Sequence, residues 1–204
     1  MTKPRLLIAT ANAGKVAEYR SLLDGLGCDL VSLADAGIEA DIEETGETYE
    51  ENARIKAVTC AQRSGLVTLA DDSGLEVDAL NGEPGVYSAR YAGENATDEE
   101  RVAYLLSRMR GVPDAERGAR FVCVIAIATP RGDITFCRGE CHGRIVHEPR
   151  GALGFGYDPA FLIPELCRTV AELPPEVKNR VSHRGRAATE VRKVLRRFID
   201  EGGC

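Results

Sequence analysis

Lysine is scarce in this 204-residue sequence. Of the five lysines, three (Lys15, Lys56 and Lys178) stand among residues suited to binding anions or divalent cations. Lys15 closes the run Thr10-Ala11-Asn12-Ala13-Gly14-Lys15, where an apolar stretch gives way to a helical pattern. The open N–H groups and the dipole of a helix start favour an anion, and a lysine adds a full positive charge. The run is not a P-loop: the first glycine is missing, and Val16 replaces the Ser or Thr that would hold magnesium. The same residues also fit a plain strand-to-helix turn with a solvated lysine. Spacing alone leaves both readings open.

Glu43-Glu44 and Asp71-Asp72 are acidic pairs. Asp72 follows a predicted buried strand, which places its carboxylate at the end of a sheet, where α/β folds gather ligands. Converging carboxylates repel unless a cation joins them. Magnesium suits such a set, since it takes oxygen ligands, keeps waters and pairs with phosphates. The plainer alternatives are an acidic surface loop for Glu43-Glu44 and a turn for Asp71-Asp72-Ser73-Gly74. Gly154-Phe155-Gly156-Tyr157-Asp158-Pro159 sets two aromatics beside an acid, in a chain with only 5% aromatic residues. It reads as a stacking platform or as a core plug. Lys178 and Ser182-His183-Arg184-Gly185 bring cationic donors just ahead of the last predicted helix, although Ser182 also suits a cap. Cys137, Cys141 and His142 lie on one predicted strand and lack a partner pair at zinc-site spacing.

A hydrophobic share of 44%, a charged share of 28% and a net charge of −6 describe an ordinary acidic globular chain. The balance argues against non-specific adhesion to nucleic acid or anionic lipid, while a small polyanion remains compatible with a locally basic pocket. The longest apolar run, 121–128, is far short of the roughly 20 residues needed to span a bilayer. The first ten residues do not resemble a secretory signal, so a cytoplasmic location is expected. The seven scattered cysteines are expected to be reduced.

The elements that must position these residues follow from hydrophobic period and punctuation. Strands are predicted over 5–10, 28–33 and 66–70. The third runs into Asp71-Asp72-Ser73-Gly74. A helix follows Gly14 with apolar Val16, Tyr19, Leu22, Leu23 and Leu26, ending at Gly27. Capping boxes at Thr48/Glu51 and Thr97/Glu100 open helices over 49–63 and up to 110. Residues 81–93 read as an ordered loop, 120–129 and 133–142 as a hairpin, and 184–200 as an amphipathic helix. Helix-flanked strands around a hairpin indicate an α/β fold built on a mixed sheet.

Taken in order, TANAGK (10–15), EETGETYEENARIKA (43–57), ADDSGLEVDALNGEPGVYSARYAG (70–93), FGYDP (155–159) and SHRG (182–185) resemble the inosine triphosphate pyrophosphatase family. The likeness runs from Leu6 to about Leu195. It implies an elongated mixed β-sheet with flanking helices, two lobes around a nucleotide cleft, one catalytic domain over 1–204 and a homodimer. The implied activity is hydrolysis of XTP, ITP and dITP to monophosphate and pyrophosphate with Mg2+. By the same resemblance, Thr10, Ala11, Asn12, Ala13, Gly14 and Lys15 hold the triphosphate with help from Lys56. Glu43 and Asp72 ligate magnesium, and Asp72 is the base. Ser73 touches substrate, as do Gly156, Tyr157 and Asp158. Phe155 stacks on the purine, and Lys178, His183 and Arg184 read its edge.

Overall fold

Strand β1 (Arg5–Ile8) buries Leu6, Leu7 and Ile8 on both of its faces, as a central parallel strand must. It pairs in parallel with β2 (Asp29–Ser32) on one side and with β3 (Val67–Val77) on the other, with Leu6 opposite Val67 and Ile8 opposite Leu69. β4 (Gly118–Ala128) and β5 (Ile134–Ile145) follow, then the short antiparallel strands β6 (Phe161–Ile163) and β7 (Arg168–Thr169). The order in the resulting seven-stranded mixed sheet is β2-β1-β3-β4-β5-β6-β7. The computed structural model describes residues 3–39 and 42–200.

Among the described residues, five α-helices accompany the sheet: α1 (Ala13–Leu22), α2 (Tyr49–Ser64), α3 (Asp98–Arg108), α4 (Pro175–Val181) and α5 (His183–Asp200). Both predicted capping boxes form. Thr48 and Thr97 accept from the N–H three residues on, while Glu51 and Glu100 return the bond. The α/β class and the mixed sheet are therefore as expected. β3 departs from the expectation by continuing seven residues past Ala70, carrying Asp71-Asp72-Ser73-Gly74 within a strand rather than a turn. β6, β7 and α4 are additions, each too short to leave a periodic trace in the sequence.

The chain forms two compact units, and β3, β4 and β5 contribute residues to both. The first comprises the residues up to Asp72, Cys123–Gly139, and Arg184 onward. Its core joins Leu6, Ile8, Val67, Leu69, Ile125 and Ile127 to Tyr19 and Leu23 of α1 and to Ala187, Val191 and Leu195 of α5. The second comprises Ser73–Val122 and Glu140–His183. It packs Leu75, Val77, Phe121, Tyr157, Phe161 and Ile163 around Val102 and Leu105 of α3. No helix of the described residues is long and apolar enough to cross a membrane, and none of the described cysteines forms a disulfide.

The β5–β6 pairing sets Arg144 opposite Leu162 and Ile145 opposite Phe161. It depends on Gly143: a Cβ there would overlap the Leu162 carbonyl oxygen and stand 2.5 Å from the Phe161 ring. Gly143→Ala is accordingly expected to lose about 2 kcal/mol, the scale of overpacking in a close-packed interior. Urea unfolding of the variant beside the parent chain measures it.

Candidate active site

The acid pair is the centre of the first unit. Successive side chains of a strand point to opposite faces, so Asp71 and Asp72 part company. Asp71 follows Val67 and Leu69 toward the face covered by α1 and α5. Its carboxylate is fully buried there, with Lys15 Nζ 2.9 Å and Arg184 Nη2 3.4 Å from Oδ2. Burial pushes the Asp71 carboxyl up, but Lys15, then Arg184 and Lys56, outweigh it and hold its pKa well below the ordinary value. Asp72 turns the other way, toward α2. Lys56 Nζ donates to its Oδ1 at 3.3 Å and Asn52 Nδ2 to its Oδ2 at 3.3 Å. Burial raises the Asp72 pKa; Lys56 opposes the shift, while the charges of Glu44 and Asp71 add to it. A buried carboxylate with a raised pKa and cations around it is equipped to accept a proton.

Thr10 to Asn12 lead from β1 into α1, and Ala13 to Lys15 are its first residues. Asn12 caps the helix: its Oδ1 accepts from the Lys15 N–H at 3.0 Å, and its own N–H donates to Thr10 Oγ1 at 3.2 Å. Ala11, Asn12 and Ala13 are exposed. The helix start therefore faces solvent, with the Lys15 ammonium set back on Asp71.

The acidic loop is strapped to the start of α2. Gly46 N–H donates to Asn52 Oδ1 at 2.8 Å, and the N–H groups of Glu47 and Thr48 donate to Glu51 Oε2 at 2.8 and 3.1 Å. Glu44 meets Lys56 Nζ at 2.7 Å, whereas Glu43 is exposed. Burial disfavours a charged Lys56, but Asp72, Glu44 and Asp71 prevail and raise its pKa. The lysine is a fixed cation at pH 7.

In the second unit the Lys178 ammonium lies 4.6 Å from the Phe155 ring centroid and 2.5 Å from Asp158 Oδ2, which also accepts the Phe155 N–H at 3.0 Å. Gly154 permits this: its φ is +79°, and a Cβ would overlap Asp158 Oδ2. The Gly156 N–H donates to Asp98 Oδ2 at 2.6 Å. The Tyr157 hydroxyl donates to the Ser88 carbonyl at 2.9 Å, which makes Tyr157 a core residue of this unit. Buried His183 stacks on Phe121 with ring centroids 4.8 Å apart, and Ser73 is half-buried in β3.

The residues named from sequence thus fall into two sets. Thr10–Lys15, Lys56, Asp72 and Arg184 belong to the first unit, with Glu43 in its acidic loop. Ser73, Phe155, Gly156, Tyr157, Asp158, Lys178 and His183 belong to the second. The Arg184 guanidinium is buried on Asp71 and on Glu18 Oε2, 2.5 Å away, above the Tyr19 ring. Sequence reasoning assigned no role to Asn52 or Glu18, and read Asp71 only with Asp72, as a cation-binding pair or a turn. Asn52 stands one helical turn before Lys56, a spacing that puts both on one face, and this was the available signal. Glu18 gave none.

Residues 6–194 match the Ham1 family. The chain belongs to that family, which bears out the resemblance read from its motifs. It is 55% identical over 183 residues, 90% of this chain and 92% of the relative, to a Geobacter sulfurreducens protein named dITP/XTP pyrophosphatase. A Symbiobacterium thermophilum protein of the same name is 49% identical over 202 residues, 99% of this chain and 100% of that one. The solved structure of a HAM1 protein from Coxiella burnetii superposes with a TM-score of 0.86 at 45% identity, covering 94% of this chain and 98% of that one.

Removing the Asp71 charge leaves Lys15 and Arg184 facing each other across a buried space. Asp71→Asn is expected to cost about 3 kcal/mol at pH 7, as breaking a buried pair does. A depressed carboxyl stabilises the fold fully above its unfolded pKa, and that contribution is lost as pH falls. The gap between parent and variant should therefore hold from pH 8 to 5 and narrow below the ordinary value of 3.8. Unfolding in urea at several pH values reads it.

Proposed function

We propose that this chain hydrolyses the non-standard purine nucleoside triphosphates dITP, XTP and ITP to the monophosphate and pyrophosphate. The observation that carries this is the buried Asp72 carboxylate held between Asn52 and Lys56, on the strand whose preceding residue anchors Lys15. The names of the relatives agree with it. In this reading the Thr10–Lys15 turn takes the phosphate tail, with its helix-start N–H groups and Lys15 matching the negative charge. Lys56 supplies a second cation beside the carboxylates. Asp72 accepts the proton of the attacking water at a carboxylate oxygen.

The donor set fits magnesium in kind, since it is made of carboxylate oxygens. Asp72 and Glu43 would hold the ion, as the resemblance to the family implies. Magnesium here supplies charge neutralisation on the phosphates and a more acidic water. In the second unit Phe155 offers its ring to the purine and Lys178 a donor to the 6-oxygen of hypoxanthine or xanthine. Adenine has an amino group at that position and leaves the donor unpaired, a mismatch that can reject by a factor of about 10⁴. His183 and Arg184 join Lys178 in reading the purine edge, as the resemblance implies. A homodimer and a cytoplasmic location belong to the same reading.

Pyrophosphate release with Mg2+, measured side by side on dITP, XTP, ITP and ATP, tests the assignment. The first three are expected to be cleaved and ATP spared; equal rates on all four would contradict it. Asp72→Asn is expected to abolish turnover while remaining folded by circular dichroism, and near-parent activity would remove Asp72 from the reaction. Lys15→Ala should weaken triphosphate binding about 30-fold, the roughly 2 kcal/mol of one charge-assisted hydrogen bond. The monophosphate should be far less affected, and calorimetry on both nucleotides separates the two effects.

A further inference from the structure

One side-chain amide is buried where the acidic loop meets the acid pair. Asn52 is 1% exposed, and its backbone N–H is already bonded to the Thr48 carbonyl at 3.1 Å. Its side chain meets two partners of opposite kind, the Gly46 N–H at Oδ1 and the Asp72 carboxylate at Nδ2. These partners fix the orientation of the amide, because a flip would set oxygen against carboxylate and NH2 against N–H. One turn later on the same helix face, Lys56 donates to the other Asp72 oxygen and holds Glu44. Asn52 and Lys56 thus each hold both Asp72 and the loop.

Helix stability does not explain this residue. The capping box serves the helix start, and asparagine in a helix interior is a weak helix former. Gly46 supplies the matching shape. A Cβ there would stand 2.6 Å from Glu51 Cβ and 2.7 Å from Asn52 Oδ1, closer than real Cβ atoms come. Any side chain at 46 would lift the loop away from the amide.

Resting on the activity proposed above, we propose that Asn52 is a positioning residue for the reaction: its buried amide ties the loop carrying Glu43 and Glu44 to Asp72 and keeps the Asp72 carboxylate turned toward its task. The tie acts through Asp72 and touches no substrate.

Three variants divide the tie into parts. Asn52→Asp is nearly isosteric; it keeps an oxygen for the Gly46 N–H but removes the donor to Asp72. Asn52→Ala removes both ends. Gly46→Ala displaces the loop without changing a polar side chain. Hydrogen exchange at the Gly46 amide reads the loop end without substrate, and kcat and KM for dITP read the Asp72 end. Asn52→Ala should lower kcat about 10²-fold, the scale of a misplaced catalytic group, with KM little changed and faster exchange at Gly46. Asn52→Asp should lower kcat comparably while Gly46 stays protected. The Gly46→Ala/Asn52→Ala double variant should be no worse than the poorer single, since both cut one connection. Full kcat in folded Asn52→Asp, or losses that multiply in the double variant, would overturn the tie. If Asn52→Ala does not fold, Asn52→Asp decides alone. A parent chain inert toward dITP and XTP would overturn the activity instead, an outcome separate from a fully active Asn52→Asp.

Discussion

Two consecutive aspartates buried within one strand set the constraint on the first unit. Each burial of a carboxylate costs several kcal/mol unless a cation and hydrogen bonds compensate. Because strand residues alternate, the two carboxylates take their ion pairs from different cations. Asp71 requires charge from the α1 and α5 side, and Lys15 and Arg184 supply it. Asp72 requires charge from the α2 side, and Lys56 supplies it. Three helices, drawn from the beginning, the first third and the end of the chain, are thereby committed to the same two residues of β3.

The same constraint prepares chemistry. A strand carrying only apolar side chains at these positions would pack more easily, yet it would offer nothing to a polyanion. In the proposed function, cations that neutralise the buried acids also meet the phosphate tail. The two acids also differ in proton affinity, Asp71 being held low and Asp72 raised. Neighbouring groups of one kind are thus divided between a structural anchor and a candidate base by their surroundings alone.

Much of this was legible in the sequence. Val, Ile and Leu runs and two Thr/Glu capping boxes define the central strands and helices α2 and α3, and the five motifs in order point to the family. The extent of β3 was not legible, because Asp, Ser and Gly favour turns and only the distant charges of Lys15, Lys56 and Arg184 let the strand continue. The partners of Arg184 were not legible either: it adjoins His183 in sequence, but His183 stacks on Phe121 while Arg184 turns to Asp71. Short elements such as β7, two residues long, carry no period to detect.

The second unit applies a milder version of the same principle. Lys178 and Asp158 are buried as a pair against the Phe155 ring, and Gly154 leaves room for them. The central claim, that the phosphate tail is received where the acids of β3 are neutralised, is tested most directly by a crystal structure of the chain with dITP and calcium in place of magnesium. The account predicts the tail against the Thr10–Lys15 turn with its innermost phosphate beside Asp72 and Lys56. A tail bound elsewhere, leaving Lys15 and Asp72 without phosphate contact, would contradict it.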